Sequence, residues 1–190
     1  MCGSAYIWRC SIGCVRTTGL IGNARALTAP VFPARGGQET GPNPTDRGKL
    51  GSKRHIVVDA HGIPLVITVT GANRHDSMAF EATLDAIPAV PGVGGQPRKR
   101  PSKLHADKGY DFARCRRYLK QRGIKARIAR RGVESSERLG RHRRVVERTH
   151  AWFAGFGKLR IRFERRLDIH VALLVLAATV ICSRFVDDLC

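Results

Sequence analysis

The sequence predicts a mixed α/β domain, and three observations carry that prediction. Short β-branched runs alternate along the chain with segments whose apolar residues recur at helical spacing. Gly- and Pro-rich breakers separate these segments. With 190 residues, 43% of them apolar, the chain is long enough to enclose one hydrophobic core. The order strand, strand, helix, strand, helix, strand, helix, helix is that of a mixed sheet flanked by helices.

Residues 1–28 show no clear period, and Pro30 to Lys53 reads as a loop region broken by Gly36-Gly37, Gly41-Pro42-Asn43-Pro44 and Gly48. A strand pair follows, His55 to Val58 and Ile63 to Thr70, joined by the turn Asp59-Ala60-His61-Gly62. Asp76 or Ser77 is placed to cap a helix over Met78 to Ile87, where Phe80, Leu84 and Ile87 share a face. Pro88 to Ser102 is a connection ending in the basic cluster Arg98-Lys99-Arg100, which reads as a solvated loop.

Lys103 to Asp107 reads as a short strand. Asp111 is placed to cap the next helix, with Phe112, Cys115 and Leu119 on one face and Gly123 at its end. Ile124 to Ile128 is another strand, and Arg131 to Gly140 a basic and polar loop. The longest helix is expected from Arg141 to Phe156, because Val145, Thr149, Trp152 and Phe156 form one stripe; Trp152 then belongs to the core. Phe163 to Asp168 is a connector, and His170 to Val186 the last helix.

Charge narrows the function. Thirty-four Lys and Arg against 15 Asp and Glu give a formal net charge of +19. Such an excess repels itself unless a polyanion neutralises it, and nucleic acid is the polyanion that Lys and Arg contacts suit. A membrane surface fits less well, because the basic residues are spread over separate elements rather than along one amphipathic helix. The apolar stretch Val171 to Cys182 is too short to cross a bilayer. No Cys-x-x-Cys pair and no His-x-x-x-His partner accompanies the six cysteines, which argues against zinc and suits reduced thiols in the cytoplasm. Arg9 and Arg16 interrupt any signal-peptide core.

Two segments are placed to carry chemistry. In Leu104-His105-Ala106-Asp107-Lys108-Gly109-Tyr110-Asp111, Asp107 ends a strand and faces the crevice where α/β sheets bind ligands. Taken alone, Asp107 reads first as a turn cap. In Arg143-Arg144-Val145-Val146-Glu147-Arg148-Thr149, Glu147 shares a helix face with Arg143, an ordinary ion-pair spacing. Yet Glu147 is one of two acids in a window, Arg141 to Arg166, that is otherwise rich in Arg, a setting for a metal ion beside a phosphate.

Together "HADKGYD", "RRVVERTHAWF" and "KLRIRFERR" resemble the DDE transposases of bacterial insertion sequences. "GGQETGPNPTDRGKLGSKRHIVVDAHGIPL" and "TGANRHDS" are similar to the same subgroup, so the likeness runs from about Gly36 to Phe185. The resemblance implies a ribonuclease H-like fold, cleavage and transfer of DNA strands, and divalent cations (Mg²⁺ or Mn²⁺) held between three carboxylates. It implies transposon-end and target duplexes as partners, with a homodimer in the transposition complex. Asp107 matches the family's second acid and Glu147 its glutamate, so these two are the expected catalytic and metal-binding residues. Arg143 matches the basic residue before that glutamate. Arg144, Arg148, Lys158, Arg160 and Arg162 are the further DNA contacts expected around it. Gly140 stands where the wider superfamily often has tyrosine, and Lys158 lies beyond the usual place of the downstream lysine.

The family's first aspartate is missing. Its place falls shortly before Gly36-Gly37, where the chain reads Ala26-Leu27-Thr28-Ala29-Pro30-Val31-Phe32-Pro33-Ala34-Arg35, and no Asp or Glu precedes Glu39. Asp46 and Asp59 match a loop and a hairpin turn of the family and are no substitutes. Residues 1–35 are therefore expected to be an unassigned segment left by a shifted reading frame, with the first strand absent or altered. Residues 36–186 are the expected partial catalytic domain and 187–190 a tail. The expectation is a transposase impaired in cleavage; a non-catalytic DNA-binding protein and an inactive remnant are the alternatives.

Overall fold

The computed structural model describes residues 25–89, 99–130 and 136–185, the side chains of 25 and 136–143 excepted. Within them a seven-stranded mixed sheet is covered by helices on both faces. The strands are β1 (Arg25–Thr28), β2 (Val31–Pro33), β3 (Gly41–Pro42), β4 (Leu50–Val58), β5 (Pro64–Gly71), β6 (Lys103–Ala106) and β7 (Lys125–Ile128). The helices are α1 (Asp76–Asp85), α2 (Ala113–Gln121), α3 (Ser136–Gly155) and α4 (Leu167–Ser183). This is the mixed sheet with flanking helices that the ribonuclease H-like expectation required.

The first strand, expected to be absent or altered, is present. β1 pairs antiparallel with β4 and parallel with β6, which puts it at the centre of the sheet. β2 continues along the same edge of β4 without a slip in register: Thr28 stands opposite Ile56 and Val31 opposite Lys53. The two are one strand interrupted at Ala29-Pro30, where proline has no N–H to donate. The Pro30 carbonyl still accepts from the Arg54 amide at 3.1 Å. Much of the region expected as loop is thus sheet, and β4 begins at Leu50 rather than His55.

Side-chain alternation divides the core in two. Leu27, Val57, Leu104, Ala106 and Ile128 face α1 and α2, with Phe80, Leu84, Cys115 and Leu119. Ala26, Ile56, Val58 and Ile67 face α3 and α4, with Val146, Phe153, Leu174 and Ile181.

Several local expectations are corrected. His75, not Asp76 or Ser77, caps α1: its ring nitrogen accepts from the Ser77 amide at 3.3 Å. Asp111 does not cap α2, whose first turn follows Phe112; its carboxylate takes the Arg116 guanidinium instead, at 2.7 Å. α3 starts five residues before Arg141, so 136–140 is helix rather than loop. Gly123 ends α2 at φ +64°, a conformation that costs glycine little. Trp152 packs against Phe185 at 5.4 Å, as its place on the apolar stripe requires. Residues 131–135, Arg98 and the tail 187–190 lie outside the described residues, as does 1–24 of the unassigned segment.

Candidate functional site

Parallel pairing sets the site. Leu27 of β1 is opposite Ala106 of β6, so the next residues, Thr28 and Asp107, are neighbours at the edge where β6 ends. Leu27 and Ala106 both point into the α1–α2 core. By alternation Thr28 and the extended Asp107 (φ −77°, ψ −179°) lie on the α3 side. Asp107 is exposed and caps the 3₁₀ turn Lys108–Tyr110, accepting from the Gly109 amide at 2.8 Å. The turn cap and the crevice position are therefore compatible in one residue.

Glycine at 109 leaves room for the Asp107 carboxylate. A Cβ there would stand 2.9 Å from Asp107 Oδ1 and 3.6 Å from Asp76 Oδ2. The same contacts show a second carboxylate close by, which the sequence suggested only as a helix cap. Asp76 accepts from Lys53 Nζ at 2.7 Å, and that ammonium also donates to the Arg74 carbonyl at 2.7 Å. Buried Tyr110 lies beneath both acids; burial, then Asp76 and Asp107, hold its phenol well above the ordinary range.

Glu147 lies on α3. The helix packs on β1, and Val146 joins Ala26, Ile56 and Val58 in the core. On one flank α3 is fastened to the β4–β5 turn: Thr149 Oγ1 donates to the Gly62 carbonyl at 2.6 Å and Arg148 donates to the His61 carbonyl at 2.6 Å. At 3.6 residues per turn, Glu147 stands roughly 160° around the helix from Thr149. In the sheet order β5-β4-β1-β6-β7 that opposite flank is the one on the β6 side of α3. Glu147 itself is exposed.

The edge where β6 ends thus sets the hydroxyl of Thr28 beside Asp107, with Asp76 of α1 close by. Among the described residues no group of three or more His, Cys, Asp or Glu is positioned to hold a metal ion. A magnesium site draws its charge compensation from carboxylate oxygens, and a neutral hydroxyl supplies none.

Of the expected DNA contacts, Arg144, Arg148, Lys158 and Arg160 are exposed, while the Arg143 side chain lies outside the described residues. Arg148 also stacks over Trp152 at 5.1 Å, and Arg160 donates to the Ala154 carbonyl at 2.7 Å. Arg162 is a correction: it is 0% exposed, so its guanidinium is closed to phosphate. It donates to the Glu164 carbonyl (2.9 Å), Ser52 Oγ (3.1 Å) and the Glu39 carbonyl (3.3 Å), tying the α3–α4 connector to β4. Burial lowers its pKa from the ordinary value. A run of arginines gave no sign that this one turns inward.

Comparison with known proteins bears on this geometry. The family model described as "Transposase DDE domain" matches residues 26–182. The chain is 53% identical over 147 residues to a Burkholderia cepacia protein assigned as the transposase of insertion sequence element IS402, covering 77% of this chain and 70% of that one. It is 27% identical over 134 residues to the transposase for insertion sequence element IS1106 of Neisseria meningitidis serogroup B, covering 68% of this chain and 43% of that one. Among solved structures, a chain of the simian T-cell lymphotropic virus intasome complexed with PP2A regulatory subunit B56 gamma superposes with a TM-score of 0.49 at 16% identity, covering 92% and 52%. The catalytic core domain of BIV integrase gives a TM-score of 0.45 at 13% identity, covering 82% and 80%.

Proposed function

Because the chain belongs to the DDE transposases of insertion sequences, we propose that it binds transposon-end and target DNA but is impaired in metal-dependent cleavage and strand transfer. The observation that carries this reading is the pairing of β1 with β6, which sets Thr28, not an acid, beside Asp107. Asp107 and Glu147 are the residues that would hold Mg²⁺ or Mn²⁺. When bound, such ions activate an attacking oxygen and stabilise a leaving one. With one charge lacking, no cleavage step follows from these residues.

What the chain's own residues do is bind and orient DNA. Exposed Arg144, Arg148, Lys158 and Arg160 flank the glutamate helix and suit phosphate oxygens, with Arg143 assigned the same role by its match to the family. The homodimer finds support in α4, whose Ile169, Leu176 and Val180 are exposed apolar residues on one face. No described helix is long and apolar enough to cross a membrane, and a cytoplasmic location fits a DNA substrate.

Incubating the purified chain with labelled transposon-end duplex and Mg²⁺ or Mn²⁺ tests the reading. Binding without nicking is the expected result; robust metal-dependent nicking overturns it. The non-catalytic DNA-binding reading has the net charge of +19 in its favour. It predicts that Asp107→Asn leaves DNA affinity unchanged or raises it.

A further inference from the structure

We propose that the α3-side face of β6 and β7 is a track for the DNA backbone, leading along the sheet to Asp107. The inference rests on the reading of the chain as a DNA-binding transposase and adds where the strand lies. Leu104, Ala106 and Ile128 point into the α1–α2 core, so Lys103, His105, Lys125 and Arg127 point the other way. α3 packs on β1 and α4 on β5, and beyond them Lys125 and Arg127 stand exposed on this face.

The register makes the face unusual. Lys103 is directly opposite Lys125, and His105 directly opposite Arg127. Like charges opposite each other on adjacent strands are destabilising, so folding alone gives no reason for the Lys–Lys pair. Charge on an edge strand does deter edge-to-edge aggregation. That explains Lys125 and Arg127 on β7 but not Lys103, which sits on the interior strand β6. Among the described residues Lys103, Lys125 and Arg127 form no ion pair with an acid, whereas Arg116 and Arg122 of the same region do.

A polyanion resolves the repulsion. Strands about 4.8 Å apart, with same-face residues about 6.6 Å apart, present these cations as a narrow strip. The Glu147 flank of α3 bounds it on one side, and its upper end is Asp107. Lys and Arg heads without base-reading geometry select phosphate rather than sequence. The ligand is therefore a phosphodiester backbone, held so that its continuation passes the carboxylate edge.

The test is fluorescence anisotropy of a labelled duplex of arbitrary sequence with the full chain, over a salt series. The pair Lys125→Gln/Arg127→Gln is compared with Arg117→Gln/Lys120→Gln, which removes the same charge from the exposed side of α2. Each lost phosphate contact lowers the slope of log affinity against log salt by about 0.9, so the track pair loses about 1.8 and the control pair little. Lys103→Gln, a milder change, loses about 0.9. The charge-preserving Lys125→Arg/Arg127→Lys keeps the wild-type slope. Equal losses from the track and control pairs, or no loss from the track pair while its thermal melt is unchanged, overturn the proposal. A wild-type chain that fails to bind the duplex overturns the DNA reading itself, and the track with it.

Discussion

Thr28 stands beside Asp107 because Leu27 and Ala106 are paired on adjacent parallel strands. Both residues leave the α1–α2 core and turn to the face on which α3 carries Glu147. The strand β1 is in place at the centre of the sheet, with a threonine next to Asp107.

The fastening of α3 is open to direct measurement. Thr149→Val keeps the shape and removes the bonds to the Gly62 and Val145 carbonyls, at 2.6 and 3.1 Å. Leaving a buried acceptor unsatisfied costs about 1–3 kcal/mol, so urea unfolding is expected to show a lower midpoint with an unchanged m-value.

Arg162 and Lys158, four residues apart, are expected to separate sharply. Arg162→Met strips donors from four acceptors and is expected to cost about 3 kcal/mol or more. Lys158→Gln, on the exposed turn after α3, is expected to change stability by less than about 0.5 kcal/mol. Chemical denaturation of the two variants checks both values.

Acid is expected to destabilise the fold through buried histidines. Burial holds His55 and His170 down to about 4, against an ordinary value near 6.5. Below 6.5 the unfolded chain takes up protons that the folded chain refuses, so their contribution is complete above pH 6.5 and falls away towards pH 4. By pH 5 the loss is on the order of 2 kcal/mol for each histidine. Thermal melts at pH 7 and pH 5 are expected to show the drop, and His55→Gln to show a smaller one.

A Cβ at position 109 meets Asp107 Oδ1 at 2.9 Å, closer than ordinary contact. Gly109→Ala is therefore expected to shift the Asp107 carboxylate and loosen the turn to Tyr110. A cost of about 1 kcal/mol in thermal unfolding is the expected scale.

What the sequence revealed follows the range of the interactions involved. The α3 stripe of Val145, Thr149, Trp152 and Phe156 was legible because helix periodicity is local. Its first turn was not: Ser136-Glu137-Arg138-Leu139-Gly140 has no apolar period of its own. β1 and β2 were hidden for another reason. They are four and three residues long, Pro30 divides them, and only non-local pairing with β4 makes them strand. Asp107 and Glu147 were identified from motifs, but the position of Thr28 between their elements needed the register. The inward turn of Arg162 and the facing of Lys103 with Lys125 were invisible for the same reason.

Titration calorimetry with Mn²⁺ tests the role of Thr28 most directly. Thr28→Asp is expected to bind Mn²⁺ at least about tenfold more tightly than the wild-type chain, a difference of about 1.4 kcal/mol. The gain is expected to vanish when Asp107→Asn is added. Equal Mn²⁺ affinity in the wild-type and Thr28→Asp chains, or a gain that survives Asp107→Asn, would contradict the three-acid crevice.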